Sequence, residues 1–590
     1  MKTNFDVPRI KIAEKVFQQI SKMSADPTQP LGTLSEIDDA LGAPPQPELG
    51  DFALGCFIFA KKLKKSPALL AQELAQTLAA ETEFTCTAAG PYLNFKFKPE
   101  FFGPHVLEPI LTGENFTKTL SVQNPKTMIE YSQPNTHKEL HVGHMRNMCL
   151  GDALVKMLRY SGHTIVSTTF AGDVGTHVAK CLWYMKFHNQ EPEPTKDKGE
   201  WLGKLYSKAH LKLEDELGTP QEAINREQLT VILKELEAHK GEYYDLWKKT
   251  RQWSIDLMQQ VYDWAKIKFD IEYWESDVDA SSVQYAQKLF KEGKLIQSEG
   301  AIGLDLSEDK LGFCMLLKTD GTGLYATKDV ELARRKFQDH HIEKSIYVVD
   351  VRQALHFKQV FKTLEVIGFK EAAQCYHLQY NFVELPDGAM SSRKGNIIPL
   401  MDLISKMEQT IKDNYLSRYQ QGTSEDWSAS EIQETASRVA KGAIRYGMLK
   451  MDTNKKIVFD MNEWLKLDGD SGPFIQYSYA RIASLLRKFS FTQKTVNSSH
   501  LVHAAEGALL QHLMNFNTIT LMAAESYKPA SLCAYLYDLA KKFNTFYHDC
   551  PIGTAPTEEL KQARLALAAA TGETLKKGLE LLGIPVPDRM

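Results

Sequence analysis

Two histidines three positions apart, His141 and His144 in His141-Val142-Gly143-His144, follow an apolar segment Ile129-Glu130-Tyr131 and a turn at Pro134-Asn135. The pattern reads as a strand, a loop and the start of a helix. A helix N-terminus carries unpaired N–H groups and a partial positive charge, so histidines set there can hold nucleotide phosphates while Gly143 lets a base ring approach the backbone. That is nucleotide chemistry without a Walker loop. Plainer readings are two helix-start histidines, or two metal ligands at i and i+3; no cysteine or further ligand cluster lies nearby to complete a metal set.

A second group is Gly388-Ala389-Met390-Ser391-Ser392-Arg393-Lys394-Gly395-Asn396, a glycine-bounded loop with two hydroxyls and two adjacent cations. Such a loop can neutralise charge that develops on an α-phosphate and on departing pyrophosphate, which is catalysis by electrostatics rather than by a covalent nucleophile. In isolation the same residues would also make a surface turn.

The elements that would position these groups follow from periodicity. Residues 128–131, a helix through 148–158 and residues 164–169 form a βαβ pattern closed by Gly172-Asp173-Val174-Gly175, and ligands of a parallel sheet sit beyond its carboxyl ends. Residues from about 190 to 270 are charged and helix-rich, an insertion entered through Pro192 and Pro194. Strands are then expected at Leu304 and Leu306, 314–317, 345–350 and 376–384, alternating with helices at 330–337 and 356–367. Beyond about 400 the pattern is helical, and a helix at 475–486 puts Ile475, Tyr479, Ile482 and Leu486 on one stripe with Arg481, Arg487 and Lys488 off it. The first hundred residues read as a small α+β module, helical through 60–65 and 68–79 and extended at 92–97. Its lysine cluster is either a solvated face or a nucleic-acid contact.

Composition sets the bounds. With 590 residues, 43% hydrophobic and 24% charged, the chain is a soluble globular protein of three or four domains at roughly 150 residues each. A net charge of -4 and a pI near 6.5 argue against coating nucleic acid along the whole surface and leave room for local basic patches. Eight cysteines without a C-x-x-C predict reduced thiols and no structural zinc. No apolar run approaches a membrane span and no leader precedes the first charges, which predicts a cytoplasmic protein with no membrane contact.

Taken together, the His motif and the Met-Ser-Ser-Arg-Lys-Gly loop about 250 residues later resemble the paired signatures of class I aminoacyl-tRNA synthetases. More narrowly, the chain resembles arginyl-tRNA synthetases over nearly its full length. The similarity is carried by Ser132-Gln133-Pro134-Asn135, Gly172-Asp173-Val174-Gly175-Thr176, Thr319-Asp320-Gly321-Thr322, Tyr325-Ala326-Thr327-Lys328-Asp329, Val348-Val349-Asp350 with Gln353 and His356-Phe357, Gln476-Tyr477-Ser478-Tyr479-Ala480-Arg481 and the terminal Leu581-Leu582-Gly583-Ile584. An always-charged, five-donor guanidinium calls for carboxylates and hydroxyls, and Asp329 and Tyr325, four apart at a helix start, would face the same side.

The resemblance implies an α/β fold. A Rossmann-like parallel-sheet catalytic domain (116–400, with the helical insertion near 190–270) would be flanked by a small α+β N-terminal tRNA-contacting module (1–115), a helical connecting segment (401–465) and an all-helical anticodon-binding domain (466–590). It implies ligation of L-arginine to its cognate tRNA through an arginyl-adenylate, with ATP and its Mg2+ as substrate complex, by a monomer without a protein-bound metal. Its family positions assign His141, His144, Lys138, Arg393 and Lys394 to catalysis, and Gly143, Met390, Ser391 and Ser392 to ATP. Glu130, Asn135, Glu275, Tyr325, Asp329 and Gln353 fall to arginine, and Tyr479, Arg481 and Arg487 to tRNA. One departure stands out: Ala389 occupies a signature-loop position where many class I enzymes carry lysine. Lys138, ahead of the His motif, can replace it, and Arg393 or Lys394 could supply the same charge. Another class I synthetase, or a non-catalytic tRNA-binding relative, remains the alternative, and the family's dependence of arginine activation on bound tRNA is an expectation.

Overall fold

A computed structural model describes residues 6–23, 31–121, 124–385, 388–389, 398–420 and 427–590. At its centre five parallel strands, β1 (Thr127–Glu130), β2 (Ile165–Ala171), β3 (Ile271–Trp274), β4 (Lys344–Asp350) and β5 (Cys375–Tyr380), lie in the order β5-β4-β1-β2-β3. Every position of β1 is buried, as expected of a strand with neighbours on both edges and helices on both faces. The chain turns one way from β1 to β2 and β3, and the other way to β4 and β5. The carboxyl end of β1 is therefore the switch point where such sheets open a crevice.

Helix α1 (Val142–Tyr160) springs from that end and returns the chain to β2. The crossover from β2 to β3 carries the insertion as three helices, Lys198–Asp215, Pro220–Glu237 and Glu242–Ala265. Helices α2 (Glu275–Lys291), α3 (Tyr325–His340) and α4 (Ala354–Val366) follow. Parallel connection requires α3 to run back along the sheet before β4, which brings its N-terminus to the carboxyl edge.

Three sequence expectations need correction. The segments at Leu304 and at 314–317 do not rejoin the parallel sheet: Ala301–Asp305 and Phe313–Leu317 pair antiparallel with each other and with Ile296–Ser298, and Leu306 falls outside the strand. The turn between them is short, so a hairpin closes locally where a parallel partner would need a crossover. The third parallel strand is instead β3, an edge strand in which Tyr273 alone is buried, so it lacks the run of buried residues that marks β1. The expected strand at 376–384 breaks after Tyr380, and Val383–Leu385 joins Ile457–Val458 and Gly388–Ala389 in a separate small sheet.

The N-terminal module is an antiparallel sheet, ordered Leu41–Gly42, Phe52–Gly55, Tyr92–Phe97, Phe84–Ala89, under helices that include Phe57–Leu63 and Pro67–Leu78. The two helical segments expected at 60–65 and 68–79 are two helices, Phe57–Leu63 and Pro67–Leu78, because proline at the first helical position starts a new helix rather than continuing one. The C-terminal third is helical, including α5 (Ala429–Leu449), α6 (Gly472–Phe489) and Glu558–Leu581.

These parts share one core. The largest buried cluster runs from Ile12 of the first module through Met148 of α1 to Leu579 near the C-terminus. Inside it Arg445 of α5, 1% exposed, binds Asp152 of α1 (2.8 Å) and the carbonyls of Leu582 (3.2 Å) and Ala265 (3.3 Å). Only glycine fits above that guanidinium, since a Cβ on Gly583 would lie 2.1 Å from Arg445 Nη1. The helix that begins at the His motif is thus fastened to the insertion and to the C-terminal tail.

Candidate active site

His141 is the N-cap of α1, and the two histidines cap the helix reciprocally. Gly143 N–H donates to His141 Nδ1 (3.1 Å), and His141 N–H donates to His144 Nδ1 (3.1 Å). Because both Nδ1 atoms accept, the proton of each neutral ring sits on Nε2, leaving two N–H donors free of the capping bonds. The rings lie 4.0 Å apart. Burial, then the charges of Arg352 and Lys138, bring the His141 pKa down to about 4; burial and the His141 and Lys138 charges hold His144 well below its usual value. The pair is neutral at physiological pH and meets an anion through donors and the helix dipole, without full charges.

Lys138 lies beside this pair, its ammonium 5.0 Å from the centre of the Tyr206 ring on the insertion. Met390, Ser391, Ser392, Arg393 and Lys394 lie outside the described residues. The chain that follows them is tied to the His motif: Pro399 bridges His141, and Leu400 N–H donates to Leu140 O (2.9 Å).

Across the crevice, the ends of β3 and α3 bring carboxylates together. Glu275 begins α2, is 6% exposed, and its pKa is pushed by burial up to about 7, against the pull of Lys328, whose ammonium lies 3.3 Å away. Lys328 also pairs with Asp279 (3.2 Å). Tyr325 opens α3 and is 64% exposed; partial desolvation, then the Glu275 charge, raises its pKa. One turn further on, Asp329 Oδ2 is 2.5 Å from His356 Nε2 of α4. Glu275, Tyr325 and Asp329 thus share one electrostatic neighbourhood.

The remaining predicted residues divide. Asn135, half-buried, bridges Gly172 in parallel fashion at the ends of β1 and β2. Gln353 is exposed beyond the end of β4, facing the same edge of the sheet. Glu130 is 3% exposed and engaged within the protein, ion-paired with the fully buried Lys336 and bonded by Gln133 Nε2 (3.2 Å). It sits at the switch point with its charge already balanced.

Several positioning residues escaped the sequence reading. Asp173, noted only within a turn motif, is fully buried and accepts Ser276 N–H (2.9 Å), Ser276 Oγ (2.7 Å) and Arg251 Nε (2.7 Å). It fixes the start of α2, and with it Glu275, to the insertion. His137, also fully buried, lies between Thr136 Oγ1 (2.9 Å) and Thr250 Oγ1 (2.8 Å), locking the loop ahead of the His motif to the same insertion helix. A Cβ on Gly172 would lie 2.3 Å from Asn135 Oδ1 and 3.5 Å from Glu275 Oε1. Glycine there lets β2 end between the two polar groups. The sequence signal was the motif Gly172-Asp173-Val174-Gly175; the partners were invisible.

In α6 the predicted RNA-facing residues separate. Tyr479 is 9% exposed and belongs to the apolar stripe. Burying its ring in the stripe leaves less of it for base stacking than the sequence suggested. Arg481 lies over Tyr477 (5.0 Å) and Tyr547 (5.4 Å) on the outer face, and Arg487 binds the Asp588 carbonyl (3.2 Å). Exposed Tyr547 and half-buried Tyr477, neither of which was expected from the sequence, are the aromatic rings beside Arg481. Among the described residues no group of three His, Cys, Asp or Glu side chains is arranged to hold a metal, and no helix is long and apolar enough to cross a membrane.

Comparison with known proteins identifies the family. Residues 106–461 match the catalytic domain of class I tRNA synthetases (R), residues 475–590 the DALR anticodon binding domain, and residues 11–97 the arginyl tRNA synthetase N-terminal domain. The chain is 61% identical to an arginine–tRNA ligase of Bdellovibrio bacteriovorus, over 94% of this chain and 95% of that protein. It is 34% identical to one of Clostridium kluyveri, over 94% and 97%. The solved arginyl-tRNA synthetase of Thermus thermophilus superposes with a TM-score of 0.77 at 27% identity, covering 99% of this chain and all of that one.

Proposed function

Since the chain belongs to the arginyl-tRNA synthetase family and ligates arginine to tRNA, we propose that the guanidinium of arginine is held between Glu275 and Asp329, with ATP's phosphates received by His141 and His144. The observation that carries this reading is the pairing, at one switch point, of a cation-seeking end with an anion-seeking end. Two carboxylates and the Tyr325 hydroxyl suit a planar fork of donors. Two neutral imidazoles whose Nε2–H groups are not used by the capping bonds, at the start of α1, suit phosphate oxygens.

In this reading Asn135 and Gln353 orient the amino-acid end of the substrate so that its carboxylate faces the α-phosphate, an arrangement that saves most of the entropy of bringing the two together. His141 and His144 donate to the phosphate oxygens as charge builds on them. Lys138 adds a cation from the insertion side, and Arg393 and Lys394 would add others. Magnesium enters as part of the ATP complex. The Arg481, Tyr477 and Tyr547 face would meet RNA by phosphate contact and stacking, and the N-terminal module would contact tRNA. We take the enzyme to act as a monomer in the cytoplasm.

Charging total tRNA with each of the twenty amino acids in turn tests the assignment. Arginine alone should be accepted, and efficient charging with a neutral amino acid would remove the basis for an acidic pocket.

A further inference from the structure

The pocket carboxylates are not bare. Glu275 faces Lys328 at 3.3 Å and Asp329 faces His356 at 2.5 Å, so each has an internal partner that an incoming guanidinium must share or displace. The two partners differ in kind. Lys328 carries its charge throughout the neutral range, held by Glu275 and Asp279 on two sides. An imidazole can bond to a carboxylate either as a neutral N–H donor or as a cation, and these differ by a whole charge at the pocket wall.

We propose that His356 is a positioning residue of the arginine pocket whose charge state sets how much of Asp329's negative charge the guanidinium meets. The inference rests on the reading that Asp329 contacts the guanidinium. Nε2 lies on Asp329, so the neutral ring carries its proton there and orients the carboxylate, while Nδ1 takes the second proton. With His356 neutral, Asp329 offers a full charge. With His356 protonated the pair is neutral overall, and arginine binding must expel a proton.

The surroundings leave Asp329 as the group that governs this ring. Of the elements packed against α4, β5 contributes His377, whose ring lies tilted 4.5 Å from that of Phe357, bonds to Val349 O (3.0 Å) and is held toward neutrality first by burial and then in part by the charge of His356. The end of β4 contributes Asp350, engaged by Arg352 at 2.8 and 2.9 Å. Cys314 of the hairpin faces Thr363 further along the helix, and Glu371 lies near Cys375. Among the described residues Asp329 alone bonds to His356. Burial lowers the His356 pKa, but the bond and charge of Asp329 raise it, and the net direction is upward from the ordinary histidine value.

The test is the KM for arginine in tRNA charging, at saturating ATP and tRNA, against pH for the wild type, His356→Gln and Asp329→Ala. Gln retains an N–H donor and cannot ionise. Linkage makes the wild-type KM rise by up to about tenfold per pH unit below the His356 pKa, on top of the rise from Glu275 protonation that both proteins share. His356→Gln should keep KM within about threefold of wild type near pH 8.5 and fall below it near pH 6, with kcat little changed. A structural role would make the variant worse at every pH. Parallel profiles overturn the inference if Asp329→Ala loses arginine affinity; an Asp329→Ala enzyme with normal arginine KM overturns the pocket reading itself. Should His356→Gln not fold, His356→Asn and histidine NMR of the wild type carry the same decision: one imidazole must titrate at lower pH when arginine is added, and none doing so contradicts the proposal.

Discussion

The two ends of the crevice solve opposite problems of charge with opposite means. At the arginine end, Glu275 and Asp329 are ionisable acids set against internal partners, the Lys328 ammonium and a His356 imidazole that is a cation only when protonated, so an incoming guanidinium must share or displace them. At the phosphate end, His141 and His144 are ionisable bases kept neutral by burial and by nearby positive charge, Arg352 and Lys138 for His141 and Lys138 for His144, so anion recognition comes from oriented N–H dipoles. A buried acid left bare would cost folding energy, and a buried imidazolium pair 4.0 Å apart would cost more still. The arginine end keeps more acid than base, with Glu275, Asp279 and Asp329 around Lys328 and His356, while the phosphate end adds Lys138 and Arg352 to two neutral imidazoles, so each end carries the charge opposite to that of its substrate.

The comparison breaks most visibly on the acidic side. Asp329→Ala should lower kcat/KM for arginine by about 2–5 kcal/mol in transition-state terms, the range for truncating one partner of a buried charged pair. KM for ATP should stay close to wild type. Unchanged efficiency with arginine would mean that Asp329 serves only His356.

On the phosphate side His144→Ala should reduce the rate of adenylate formation by about a hundredfold, the scale for losing one preorganised donor to developing charge. Its ATP KM should move far less. A raised ATP KM with unchanged kcat would show that the histidines bind the ground state and do not distinguish the transition state.

A pH titration sharpens the contrast. Because the Glu275 pKa is raised to about 7, its carboxylate loses charge as pH falls through that value, and KM for arginine should climb between about pH 8.5 and 6.5. His141, with its pKa near 4, stays neutral over the same interval, and KM for ATP should remain flat. Equal slopes for both substrates would erase the distinction.

Gly172→Ala should have the smallest effect. The new Cβ would press on Asn135 Oδ1, 2.3 Å away, and overpacking of this kind costs about 1–3 kcal/mol. Thermal unfolding should shift downward, and KM for arginine should rise by less than for Asp329→Ala.

How far the sequence revealed each end follows the same division. The His motif is contiguous, its capping bonds span three residues, and its chemistry could be read from neighbours in the chain. The arginine end is assembled from β3, α2, α3 and α4, so Glu275 and Asp329 were recognisable by resemblance while their partners were not. Lys328 lies 53 residues from Glu275, and His356 lies 27 from Asp329. Periodicity cannot report such tertiary meetings. The same limit explains the sheet: β1, β2 and β4 showed apolar runs, whereas the edge strand β3 was hidden behind the insertion and a local hairpin was mistaken for a return to the parallel sheet.

The most direct measurement of the account is a structure of the enzyme with arginine and a non-hydrolysable ATP analogue. Guanidinium nitrogens are expected within hydrogen-bond reach of both Glu275 and Asp329, with phosphate oxygens facing Nε2 of His141 and His144. A guanidinium bound away from these two carboxylates, or phosphates that leave both histidines untouched, would contradict it.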